Sequence, residues 1–403
     1  VHVDNHARAF VGGDPNRLLV GNDGGVYYSA NALDARPHFD GINGGANTIE
    51  FYSGDITARF NDSTTPTRGI IGGAQDNNGS SFVWPSGVTP ALAIWHSRFG
   101  GDGIYSKIEP ILGRRWYYSS QFGFVMASET GADGEPDQMV APYDDTTQQL
   151  WRGDRLGFLM NYDLYKFGGE DTCPAARGCQ RMIAGTYRVW ESLSGGLPNT
   201  SWIVASPDLT KHLTNDTALS IINRVEYAYS DPGHAVVATN DGNVWFGSGL
   251  GNAGGTRWAN LTGGNAVLPN RPVMDATTDP ATATIVYAAL AGFDQNTPTT
   301  PGHVYRADCN ADCSTFSWSN RSGNLPNIPV NAVLVNPHQP RQVYAGTDWG
   351  LYYTDDIGAA SPVWKRFEAG LPSAMIWDLV IDRGATTLAI FTRSRGAYVW
   401  PLP

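Results

Sequence analysis

PVNAVLVNPHQPRQVYAGTDWGLYYTDD, residues 329–356, is the stretch whose reading decides the fold. An apolar alternating run from Val330 ends at the Asn336-Pro337 turn, and a second run from Val343 ends at Thr347-Asp348-Trp349-Gly350. A third, aromatic run follows, and Val363-Trp364 closes the unit. Short runs with alternating apolar positions are strands, because successive side chains on a strand point to opposite faces. Asn-Pro and Asp-Gly pairs between such runs are hairpin turns.

The phrase recurs along the chain. HARAFVGGDPNRLLVGNDGGVYYS begins at His6, RVEYAYSDPGHAVVATNDGNVWFGS at Arg224, and MIWDLVIDRGATTLAIFTRSRGAYVW at Met375. A looser copy starts at Val273. Three central copies are more worn. Phe51 to Phe60, Ile70 to Ala74, Ser81 to Trp84 and Leu92 to His96 make one. Ile104 to Ile108, Trp116 to Ser119 and Phe124 to Ala127 make the next. Phe158 to Tyr162, Met182 to Gly185 and Arg188 to Glu191 make the third. Each unit spans roughly 45–65 residues, the size of a propeller blade. A lone four-stranded sheet cannot bury both faces, so the units must stack around an axis. The expectation is an all-β chain, one β-propeller domain over 1–403 with four-stranded antiparallel blades. Eight innermost strands are countable. Seven blades are the alternative, because residues 130–160 give no clear strand pattern.

The last unit has strands at Ile376–Ile381, Leu388–Phe391 and Ala397–Trp400, and no fourth. An incomplete blade leaves a row of unpaired backbone groups. The missing strand is expected from an upstream segment of a longer precursor or from another chain.

Composition agrees with many turns and half-buried strands: 47 Gly, 13 Trp and 18 Tyr, with only 16% charged residues. A formal charge of -11 and no basic stripe argue against nucleic acid as a partner. No apolar stretch approaches the roughly 20 residues that cross a membrane. The four cysteines form two close pairs, Cys173/Cys179 and Cys309/Cys313. Two short disulfides are expected, which suit an oxidising compartment. A four-thiolate zinc site is the rival, against which neither pair has the two-residue gap of a zinc knuckle.

Thr354-Asp355-Asp356-Ile357-Gly358, with Trp364 after it, resembles a degenerate Asp-box, the S/T-x-D-x-G-x-x-W hairpin of sialidases, sortilin-type receptors and xyloglucanase-like hydrolases. LPNIPVNAVLVNP, GGAQDN and FTRSRGAYVW are similar to segments of exported bacterial BNR-repeat propellers. The resemblance covers essentially the whole chain. It implies the propeller fold and a secreted or cell-surface location, and leaves activity open, since this fold carries enzymes, receptors and scaffolds.

In such a fold the turn after the second strand and the approach to the first open on one face near the axis. Those positions hold Asp4, Gln75, Asp76, Asn77, Asp102, Tyr187, Arg188, Trp349 and Arg395, a polar face of the kind that binds ligands. Asp23, Asp241 and Asp348 belong to a repeated turn, where Asp bonds its own backbone. Asp76 and Asp102 lie in motifs that occur once, Gln-Asp-Asn-Asn and Gly-Gly-Asp-Gly. Glycoside hydrolysis needs two carboxyls, one of them kept protonated. Asp4, Asp76 and Asp102 are the candidates, with Trp95, Tyr187 and Trp349 to stack sugar rings. His2, Asp4 and His6 alternate on an extended segment and are candidate ligands for a divalent metal ion, the one cofactor the residues suggest. No Ser-hydrolase elbow, HExxH, Walker loop or dinucleotide fingerprint is present. The expected function is binding of a glycan or an extracellular protein through the polar face. A glycoside hydrolase is the alternative, and a metal-binding or structural scaffold the second alternative.

Overall fold

Each strand pairs with its neighbour in sequence, so every sheet is an antiparallel meander. The computed structural model describes residues 2–88, 94–213, 219–252 and 254–402. It contains seven four-stranded sheets, one three-stranded sheet and a two-stranded hairpin at Tyr143–Asp144 and Gln149–Leu150. Among the described residues helix is confined to short 3-10 turns. Among the described residues no helix is long and apolar enough to cross a membrane.

The first sheet runs Asn5–Phe10, Leu18–Asn22, Gly25–Ser29 and Asp40–Gly41. Blade 1 is Phe51–Ile56, Thr67–Ala74, Gly79–Pro85 and His96–Phe99. Blades 2 to 7 begin with inner strands at Ser106–Ile108, Tyr162–Leu164, Ile222–Ala228, Val273–Thr278, Val330–Val335 and Met375–Ile381. Blade 7 has only three strands, ending at Ala397–Pro401, as its sequence indicates.

Blades 1 to 7 close a ring by face-to-face packing. Blade 7 seals directly against blade 1: Val380, Ala389 and Phe391 share a core with Phe51, Ile56 and Ile70. Ser53 Oγ donates to Asp378 Oδ2 across that seam at 2.5 Å. Tyr162 OH donates to the Tyr105 carbonyl at 3.2 Å and joins blade 3 to blade 2. All eight repeat units are therefore present. Seven of them, the alternative count, make the ring, and the first sheet stands outside it.

Two sequence features set the blade-to-blade fit. The second strand carries a glycine where the next inner strand presses in: a Cβ on Gly185 would lie 2.5 Å from Ile222, and one on Gly346 2.7 Å from Ile376. A bulge lies near the start of the inner strand, at its second residue in Tyr52, Asn223, Met274 and Asn331 and at its third in Trp377, where the ladder register shifts. A bulge re-aims its side chain. Asn223 and Asn331 use this to donate to the carbonyls of Val273 and Ile376 in the following blades, at 3.0 and 3.2 Å.

The Asp-box-like turn closes as its sequence suggests. Asp356 Oδ1 accepts from Gly358 N at 3.0 Å, and buried Trp364 donates through Nε1 to the Arg321 carbonyl at 2.9 Å. Cys173–Cys179 and Cys309–Cys313 are both disulfides. Glu109 organises the first, accepting from Ile111, Leu112 and Cys179 backbone N–H groups.

Some boundaries moved. The fourth strand of blade 1 begins at His96 rather than ending there, and Leu92 lies outside the described residues. The first strand of blade 3 is Tyr162–Leu164, following the small hairpin and a Trp151–Gly153 turn that fill the unclear stretch.

Candidate functional site

The Gln75–Asn78 turn of blade 1 is the centre of the polar face. Asp76 adopts φ 54 and Asn78 φ 67, left-handed conformations that Asp and Asn tolerate better than most residues. The approach to blade 2 folds over this turn. A Cβ on Gly103 would sit 2.2 Å from the Asn78 carbonyl oxygen, so the Gly-Gly-Asp-Gly motif is what allows the contact. Asp102 is thereby fixed: it accepts from Asp76 N at 2.8 Å and from Gln121 Nε2 at 2.6 Å.

The first sheet meets the ring at the same turn. Asn77 Nδ2 donates to the Asp23 carbonyl at 2.9 Å, and His2 Nε2 bonds the Asp76 carbonyl at 2.8 Å. Carboxylate oxygens of Asp4, Asp23 and Asp76 come within 4.8 Å of one another. Burial, then the charges of Asp102 and Asp23, raise the Asp76 carboxyl above the ordinary carboxylate range. Asp23 has a partner, His6 Nε2 at 2.5 Å.

The extended His2/Asp4/His6 trio expected from alternation is not what forms. Asp4 sits at φ 56, which bends the segment before the first strand begins. The two histidines turn to Asp76 and Asp23, and Asp4 joins the carboxylates. Alternation presumed an extended backbone, and the bend removes that premise.

Toward the axis, Arg393 lies between two aromatic rings, with its guanidinium 4.6 Å from the Tyr52 centroid and 5.1 Å from that of Trp377. It donates to Glu50 at 3.1 Å and to Gln75, whose Oε1 also accepts from Tyr52 OH. Arg393, Tyr52, Glu50 and Trp377 were missed in the sequence. The signal was available: Arg393 follows the second-strand Thr392, as Asp348 follows Thr347 and Gln75 follows Ala74. Arg395 is two residues further on and bonds the Ser394 carbonyl at 2.6 Å instead.

Other candidates are placed elsewhere. Arg188 makes a bidentate pair with Asp154, at 2.9 and 2.6 Å, and its charge covers the rings of Tyr187 and Trp190. That pair fastens blade 3 to the loop before it. Asp241 accepts from Lys211 N, Ser220 and Thr239, and Asp348 accepts from Asn331, in keeping with turn roles. Trp349 is 62% exposed on its own turn. Trp95 packs beside Phe51, centroids 4.9 Å apart, in blade 1.

Trp95 also lines a groove of about 620 Å³ between the first sheet, the 43–49 connection and blades 1 and 7. Stacked Phe82 and Trp84, centroids 4.7 Å apart, share its wall with Asn43, Asn47 and Asn77. Asp23 stands at its edge and links it to the carboxylates. The size is within the roughly 300–1,000 Å³ of small-ligand sites.

Below the face, the axis is closed by charge pairs: Lys166–Asp55 at 2.6 Å, Lys107–Asp163 at 3.1 Å, and Arg224 with Asp275 at 3.0 Å and Asp378 at 3.2 Å. Burial pushes Glu226, beside Arg224, up to about 7. Arg224 separates a shallow pit of about 40 Å³ under Trp377 from a cavity of about 70 Å³ on the opposite side.

Comparison with protein-family models and with curated proteins finds no match to this chain. Fold and site together define the class: an all-β, blade-type propeller with an acidic, aromatic-walled groove where a first sheet meets the ring.

Proposed function

We propose that the protein binds a glycan chain in the groove between the first sheet and the ring, as a secreted or cell-surface module of the BNR/Asp-box kind. The observation that carries this is the conjunction of the Phe82, Trp84 and Trp95 rings with amide side chains and carboxylates in one open groove. Sugar rings present apolar faces that stack on aromatic side chains and hydroxyls that bond amides and carboxylates. The two disulfides and the Asp-box-like turn support the location and the family. A glycan-array screen of the intact protein tests the reading: selective binding of one linkage class is expected, lost in a Trp84→Ala/Trp95→Ala variant. Binding that survives both changes removes the groove from the account.

One observation favours hydrolysis as a second reading. Asp76, raised by burial and by neighbouring carboxylates, suits a proton donor, and Asp4 and Asp23 stand beside it as candidates for the second carboxyl. Hydrolysis of this kind uses a closely spaced pair of carboxyls, and carboxylate oxygens of Asp4, Asp23 and Asp76 lie within 4.8 Å of one another. Release of reducing ends from a bound glycan, abolished in Asp76→Asn with binding intact, is the result this reading requires.

A further inference from the structure

The first sheet has the strand order and the inner-strand bulge of a ring blade, here at His6, yet its faces are not covered as a blade's are. Its inner strand is exposed at all positions, whereas that of blade 1 is buried at all positions. Phe10 and Val26 are 56% and 42% exposed, apolar surface that a soluble sheet ordinarily covers.

The hole a neighbour should fill has an address. In blades 3 and 6 the second-strand glycine of IAGT and YAGT receives an isoleucine from the next inner strand, Ile222 or Ile376. The aligned glycine of the first sheet, Gly21 in LVGN, meets only Ala7 of its own sheet, at 3.7 Å. Chain direction then says which blade is lacking. Each of these blades receives its successor's inner strand on this face. The successor of the first sheet is blade 1, which is already sealed against blade 7. The first sheet is thus placed as the last blade of a set, with the connection through 42–50 leading out of that set into the ring.

We propose that the first sheet is the closing blade of a second ring, and that its two bare faces take four-stranded blades of the same repeat lying N-terminal to it in the same polypeptide. The glycan groove would then lie between two rings, but the proposal does not depend on what the groove binds.

Hydrogen exchange read by mass spectrometry, with light scattering for mass, tests this on the 403-residue chain and on the product of its gene extended upstream. The 403-residue chain is expected to be monomeric, with amides of 5–29 exchanging far faster than those of blades 4 to 6. In the extended product the same amides should gain about 100-fold in protection. Gly21→Val should reverse that gain while leaving the 403-residue chain unchanged. Three results overturn the proposal: a dimer of the 403-residue chain that protects 5–29, a monomer in which 5–29 already matches the ring, or an extended product with no gain.

Discussion

Asp76 and Arg224 are charged side chains set in opposite surroundings, one among like charges and the other among opposite ones. Burial, and after it the like charges of Asp102 and Asp23, make Asp76 hold its proton more tightly than usual. Replacing it with Asn relieves repulsion at that turn. Asp76→Asn is therefore expected to keep or slightly raise thermal stability while losing any hydrolytic activity; a melting scan beside a reducing-end assay reads both. Arg224, in contrast, neutralises Asp275 and Asp378 in the axis. Arg224→Met strands two buried carboxylates, and breaking such a group costs about 3–5 kcal/mol. Urea unfolding should show that loss, and a change within about 0.5 kcal/mol would mean the axis is wetter than the packing implies. The acidic turn residues were legible in the sequence because Gln-Asp-Asn-Asn and Gly-Gly-Asp-Gly break the repeat. Arg393 was equally legible from its place after Thr392, but its neighbour Arg395 stands in a more conspicuous Arg-Gly-Ala phrase. The axial ions were not legible: Asp55, Lys107, Asp163 and Arg224 fall at apolar-strand positions, and only the closed ring brings them together.

At the scale of elements, the blade seams account for the glycine-rich second strands. Gly346→Ala places a methyl 2.7 Å from Ile376 Cγ2, overpacking that typically costs about 1–3 kcal/mol. Gly21→Ala meets open space beyond Ala7 and should be neutral, or stabilising by a few tenths of a kcal/mol through strand propensity. Equal effects at the two sites, measured by denaturant melts, would contradict the difference between a sealed and a bare blade face. The disulfides span sequence separations of 6 and 4, so they close small loops. Loop entropy is then small, and mild reduction should shift the melting temperature little. Strand alternation and turn pairs mark these elements well in blades 4 to 7. They mark them poorly in blade 3, where the first strand has three residues and a cysteine insertion separates it from the second. The His2/Asp4/His6 alignment failed for a related reason, a left-handed residue that no local pattern announces.

The whole molecule couples its charge core to pH through Glu226. Its carboxyl is raised to about 7 in the fold, above the ordinary 4.5, so the folded protein binds this proton more tightly than the unfolded chain. The associated stability is fully present below about pH 4.5 and is lost as pH rises through about 7. Its size is on the order of 3 kcal/mol at most. Glu226→Gln should remove this slope, so that the variant gains on the native protein between pH 5 and roughly 8. Parallel melting curves across that range would mean that Glu226 stays ionised beside Arg224. The number of repeat units could be counted in the sequence, but not which of them close on one another. Repeat phrases carry the blade, while ring membership lives in which faces meet, and that needed the contacts of blade 7 with blade 1.

The central claim is that the junction of the first sheet and the ring is the ligand site. A crystal structure with the oligosaccharide selected on the array tests it most directly. The account predicts sugar density against Trp84 and Trp95, running toward Asp23 and ending within hydrogen-bond reach of Asp76. Density confined to the pit under Trp377, or to the exposed Trp349 turn, would contradict it.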